Sequence, residues 1–82
     1  MKTMLRLKVR EVLAMAPDYG KTERFIHQSV SSLCGGGVPL QDLRDAIEYN
    51  LAERYIHSAF DKESEETLWY ITSAGLTRQA RP

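Results

Sequence analysis

Tyr55-Ile56-His57-Ser58-Ala59-Phe60, then Asp61-Lys62-Glu63-Ser64-Glu65-Glu66, then Thr67-Leu68-Trp69-Tyr70-Ile71 is the stretch that decides the fold of this 82-residue chain. Its outer segments are rich in the aromatic and β-branched residues that fit a pleated, half-buried surface, and six polar residues separate them. Two short strands joined by a polar loop make a β-hairpin, expected over about 55–72. A lone hairpin is marginal in water, so it needs to lay a face on other elements. Trp69 and Tyr70 are neighbours on a strand and point to opposite sides, one toward the core and the other toward solvent.

Upstream of residue 55 the periodicity is helical. Leu5, Val9, Val12, Leu13 and Ala16 recur at i, i+4, i+7, i+8 and i+11, and Pro17 with Gly20 stops the run, giving a helix over about 3–16. Phe25, Ile26, Val30, Leu33 and Cys34 form a second stripe, with Thr22 as N-cap and Gly35 as terminator, over about 22–34. After Gly35-Gly36-Gly37, Pro39 opens a third helix over about 39–53, whose inward stripe is read as Leu40, Leu43, Ile47 and Leu51. Beyond Ile71, residues 73–82 are read as a C-terminal tail that starts at most a helical turn. Three helices followed by a hairpin is the order of a winged helix: an α+β fold with a three-helix helix-turn-helix core and a two-stranded wing. The chain is expected to be a single domain over residues 1–82, because its length supports one core and no linker divides it.

Several short motifs point the same way. Ala14-Met15-Ala16-Pro17-Asp18-Tyr19 follows a helix, Val38 and Leu43-Arg44 open the third helix, Tyr55-Ile56 enters a strand, and Trp69-Tyr70-Ile71-Thr72-Ser73-Ala74-Gly75-Leu76 closes the wing. Together these resemble small winged-helix proteins encoded in Mu-like prophages. The resemblance covers nearly the whole chain, and it implies a small DNA-binding or transcription-regulatory module. The sequence departs from the pattern of that family at Arg54, where a glycine precedes the first wing strand, and at Asn50, where a leucine is expected.

Composition narrows the functional classes. Hydrophobic residues at 43% and charged residues at 27% describe an ordinary globular chain. Cys34 stands alone, so no disulfide forms within the chain, and a cytoplasmic protein is expected. The stretch from His27 to Gln41 has no Asp, Glu, Lys or Arg, yet its serines, glycines and Pro39 exclude a membrane span; charges throughout the N-terminal residues leave no apolar run for a signal peptide.

Enzymatic signatures are not found. Gly20-Lys21-Thr22 resembles the end of a phosphate-binding loop, but Met15 stands where the first glycine is required and a helix precedes it in place of a strand. The three consecutive glycines lack the spacing of a dinucleotide site. His27, Cys34 and His57 are isolated from one another, which argues against zinc or a catalytic triad, and Glu65-Glu66 sits in a polar loop, a poor setting for general acids. The chain is therefore read as non-enzymatic, with no cofactor and no small-molecule substrate.

The net charge of zero conceals a division. Residues 1–34 hold six bases against three acids, and residues 35–70 hold three bases against eight acids. In a helix-turn-helix the third helix enters the major groove. The expected inward stripe turns Gln41, Asp42, Asp45, Glu48 and Tyr49 outward, with Arg44 at its edge, and three of those five outward residues are acids. Gln41 suits adenine and Arg44 suits guanine, but the acids oppose a duplex that carries one negative charge per ~1.7 Å of axis. The wing turn adds Asp61, Glu63, Glu65 and Glu66 against Lys62. Positive charge lies on the first helix as Lys2, Arg6 and Arg10 at i, i+4 and i+8, with Lys21 and Arg24 near the second. That stripe stands as a solvated helix face, a surface for phosphate or a partner, or one side of a contact between copies. The candidate contact residues are therefore Lys2, Arg6, Arg10, Lys21, Arg24, Gln41, Arg44 and Tyr49. The candidate partners are double-stranded DNA, a second copy or another protein; the alternative to DNA binding is a winged helix used for protein contact or homodimerisation alone.

Overall fold

A computed structural model describes residues 2–80. It runs α1 (Lys2–Ala14), α2 (Glu23–Leu33), α3 (Leu40–Ala52), β1 (Ile56–Asp61), β2 (Glu66–Ile71) and α4 (Ser73–Ala80). This is a winged helix: three helices, a hairpin and a C-terminal helix. α1 is its centre, packed against α2, α3, α4 and β2. Leu5, Val9, Val12 and Leu13 of α1 meet Ile26 and Val30 of α2, Leu43, Ala46 and Ile47 of α3, and Ile56 and Ile71 at the base of the hairpin. Apolar burial at about 25 cal/mol per Å2 makes this cluster the main source of stability.

Local chemistry sets the boundaries. Thr22 caps α2, its hydroxyl accepting from the Phe25 amide at 3.1 Å. Gly35, Gly36 and Gly37 all take positive φ, +82°, +95° and +72°, so the turn between α2 and α3 follows a path that residues with a Cβ rarely adopt. Arg54, just before the wing, also takes a left-handed φ of +62°. The strands pair antiparallel from Ile56↔Ile71 to Asp61↔Glu66, and the turn between them is closed by Asp61, which accepts from the Glu63 amide at 3.1 Å and the Ser64 hydroxyl at 2.8 Å.

Four expectations change. First, Ser73–Ala80 is helix in place of a tail. Thr72 starts it: the hydroxyl accepts from the Gly75 amide at 3.0 Å and donates to the Arg54 carbonyl at 2.7 Å, which ties α4 to the residue before the wing. Second, the buried stripe of α3 is Leu43, Ala46, Ile47 and Asn50, while Leu40 and Leu51 are 38% and 39% exposed. The rotation arises because α1 packs closely on small Ala46 and supplies Arg10 as a partner for Asn50. Third, the face that the hairpin lays on the helices is concentrated toward its base: Ile56 and Ile71 are buried, and Trp69 packs half-buried against the same core. Fourth, neither Trp69 nor Tyr70 is open to solvent; both are half-buried. The loop before α2 covers the outer edge of β2, with Lys21 and Trp69 exchanging backbone hydrogen bonds at 3.0 and 2.9 Å. Gly20 lies so close on Tyr70 that a Cβ there would meet the ring carbon Cζ at 2.6 Å, and Tyr70 stacks on His57 with ring centres 5.1 Å apart.

Candidate nucleic-acid interface

The helix-turn-helix is built from α2, the glycine turn and α3. The His27 ring Nε2–H donates to the Val38 carbonyl at 2.7 Å, pinning the end of the turn to the side of α2. This fixes the angle at which α3 leaves the turn. Along α3, Gln41, Arg44, Asp45 and Glu48 are exposed, while Asp42 and Tyr49 are half-buried toward α1. The outward face therefore combines one amide, one cation and two acids.

Arg44 is not at the edge of the buried stripe; half of its side chain is exposed. Its Nε and Nη2 donate to the two carboxylate oxygens of Glu23 at 3.1 and 3.2 Å, a bidentate pair joining the first turns of α2 and α3. The Glu23 bond, and then the Glu23 charge, raise the Arg44 pKa further. Such an exposed pair contributes little to stability but orients the guanidinium on the outer face. Gln41 donates to Asp45 at 2.9 Å. Arg24 is exposed one residue beyond Glu23. Thus Arg24 and the Glu23–Arg44 pair lie at or beside the start of α2, and Gln41 lies in the first turn of α3.

The first-helix cations go elsewhere. Arg10 is not part of an exposed stripe: it is 5% exposed, and its Nη1 and Nε donate to Asn50 Oδ1 at 2.9 Å and Gln79 Oε1 at 3.2 Å. Desolvation, and secondarily the charge of Arg78, hold its pKa below the usual arginine range, with opposing contributions from Tyr55 and Tyr49. Arg6 lies 3.9 Å over the Tyr49 ring, a cation–π contact that occupies both candidate residues. Lys2 and Arg6 share a small cleft with Asp42 and Asp45, so acids of α3 face the cations of α1 within the same molecule. Lys21 donates from Nζ to the Ala16 and Tyr19 carbonyls at 2.6 and 2.9 Å, and burial lowers its pKa. It closes the loop after α1 and is not displayed beside Arg24.

Two residues outside the candidate contact set matter here. Glu23 clamps Arg44, and Asn50, fully buried, accepts from Arg10 and donates from Nδ2 to the Ala46 and Arg6 carbonyls at 2.9 and 3.1 Å. A polar residue at i+4 from Ala46 was the available signal. The flank toward the wing is acidic, with Glu23 and Glu66 lining a groove beside Thr67 and Trp69. Among the described residues no group of three or more His, Cys, Asp or Glu could hold a metal ion, and no helix is long and apolar enough to cross a membrane.

No protein-family model matches the chain, and no curated protein matches it. Among solved structures it is similar to a transcriptional regulator of the MarR family from Silicibacter pomeroyi, with a TM-score of 0.77 and 16% sequence identity over 94% of this chain. The chain spans about half, 47%, of that protein. At this identity the likeness shows the winged-helix fold. The resemblance to Mu-like prophage proteins is not among what these comparisons show.

Proposed function

We propose that this chain is a non-enzymatic DNA-binding regulatory module that meets the duplex with the N-terminal ends of α2 and α3 and keeps its wing off the phosphates. The observation that carries this reading is that Gln41, Arg44 and Arg24 are all exposed on the helix-turn-helix, with Arg44 held outward by Glu23. In this mode Arg44 exchanges Glu23 for the O6 and N7 edge of guanine, Gln41 turns from Asp45 to adenine, and Arg24 contacts a phosphate. Asp45 and Glu48 confine the contact to the first turns of α3. The MarR-family likeness supports a regulatory winged helix by fold alone.

Fluorescence anisotropy with mixed-sequence duplexes at low salt tests this. Binding is expected to weaken steeply with salt, and Arg24→Ala to reduce the slope of log K against log salt by about one. Arg44→Ala is expected to remove preference among sequences. A second reading, a winged helix that contacts protein without DNA, is favoured by the acids of the wing turn and of the outer α3 face. Absence of any duplex binding at low salt decides for it. Arg10 is unsuited to either test because its substitution strikes the interior.

A further inference from the structure

The groove between α1 and α4 contains a charge that no carboxylate among the described residues neutralises. Arg10 donates there only to the neutral side chains of Asn50 and Gln79, and its guanidinium carbon lies 5.2 Å from the centre of the Tyr55 ring. Among the described residues no carboxylate pairs with it. Arg78 of α4 lines the same groove, near enough for its charge to act on Arg10. The one acid present, Glu11, is held by Lys8 at 3.0 Å. Met4 and Leu7 supply apolar wall, 53% and 40% exposed. The groove, about 700 Å3, is thus cationic at its floor and far side and apolar at its rim. Its complement is an anionic segment with an apolar anchor.

The chain itself carries such a segment. Phe60, near the end of β1, is 64% exposed. The following turn displays Glu63, Glu65 and Glu66, all exposed, with Lys62 as its single cation. The strands pair along their whole length, which holds the tip about 20 Å from the hairpin base at ~3.3 Å per residue. α4 begins at that base, so the tip meets the groove of another molecule and not its own.

We propose that the wing of one copy docks in the α1–α4 groove of a second copy, with Phe60 against Met4 and Leu7 and the acids of the turn against Arg78. The contact uses neither Gln41 nor Arg44, so it stands whether or not the chain binds DNA. It gives the acidic wing a partner that a phosphate backbone does not offer, through a contact built on opposite charges. Its strength therefore depends on charge and salt.

Sedimentation equilibrium of the chain, with circular dichroism as a check on folding, tests this. The wild-type chain is expected to self-associate at low salt and to weaken about tenfold or more in 0.5 M salt, where the Debye length falls to ~4 Å. Phe60→Asp and Arg78→Glu, both at exposed positions, are each expected to remain monomeric over the same concentrations. An equimolar mixture of the two is expected to associate again, because the Phe60→Asp copy keeps an intact groove and the Arg78→Glu copy an intact wing. A wild-type chain that stays monomeric at low salt overturns the proposal. So does association indifferent to both variants, or a mixture that fails to recover it.

Discussion

Asn50→Leu replaces a fully buried polar side chain by an apolar one of similar reach, and the structure makes it a costly change. Leucine matches the apolar surroundings but removes Oδ1, which accepts from Arg10 Nη1 at 2.9 Å. A hydrogen bond to a charged group contributes about 1.5–3 kcal/mol, and depriving a buried charge of its partner costs about 3–5 kcal/mol when no water replaces it. Gln79 still accepts from Arg10 Nε at 3.2 Å. The two carbonyls that lose Asn50 Nδ2, those of Arg6 and Ala46, lie inside helices and keep their i+4 amides. The expected destabilisation is therefore about 2–4 kcal/mol, between the loss of one charged hydrogen bond and full isolation of the ion. Arg10→Met, which leaves Oδ1 without a donor, is expected to cost about 1–3 kcal/mol. The double variant, with both polar groups gone, is expected within about 1 kcal/mol of wild type, as for buried ion pairs replaced by apolar residues. Urea denaturation followed by Trp69 fluorescence and far-ultraviolet circular dichroism closes the cycle, with coupling of about 2 kcal/mol or more. Coupling below about 0.5 kcal/mol, or Asn50→Leu as stable as wild type, would refute the assignment of a buried, Asn50-dependent guanidinium.

Two further substitutions test how the wing is seated. Gly75→Ala drives a Cβ into the Tyr55 carbonyl and against Ile71 Cγ1 at 2.7 Å; because the first is backbone and cannot swing away, thermal denaturation is expected to show a loss of at least about 2 kcal/mol. Arg54→Gly removes a left-handed non-glycine residue, whose strain of about 1–2 kcal/mol is partly offset by the greater freedom of glycine when unfolded, so a net gain of about 0.5 kcal/mol in urea is expected. A loss in the Arg54 variant would mean that its side chain, not its backbone geometry, seats the wing.

The sequence by itself determined the order of elements and therefore the fold. Helical spacing of Leu5, Val9, Val12 and Leu13, the Thr22 cap, the glycine turn and the switch to strand residues at Tyr55 are local signals, and each acts within a few residues. It also showed correctly that the wing turn is acidic, since exposed loop charge depends on composition alone. What only the tertiary structure decided is where charge is free. Lys2, Arg6 and Arg10 form one stripe by spacing, yet α3 meets that side of α1, so Arg10 enters the interior against Asn50 while Arg6 settles on Tyr49. Likewise Arg44 stands outside with Glu23, 21 positions away in sequence, because packing on Ala46 rotates α3. Of helix α4 only a starting turn was legible, because its eight residues are too short to persist without the Thr72 bond to Arg54 and the face of α1 beneath it. Spacing fixes which residues share a face. Which faces meet, and so whether a cation is a surface group or a buried partner, is settled by packing between elements distant in the chain.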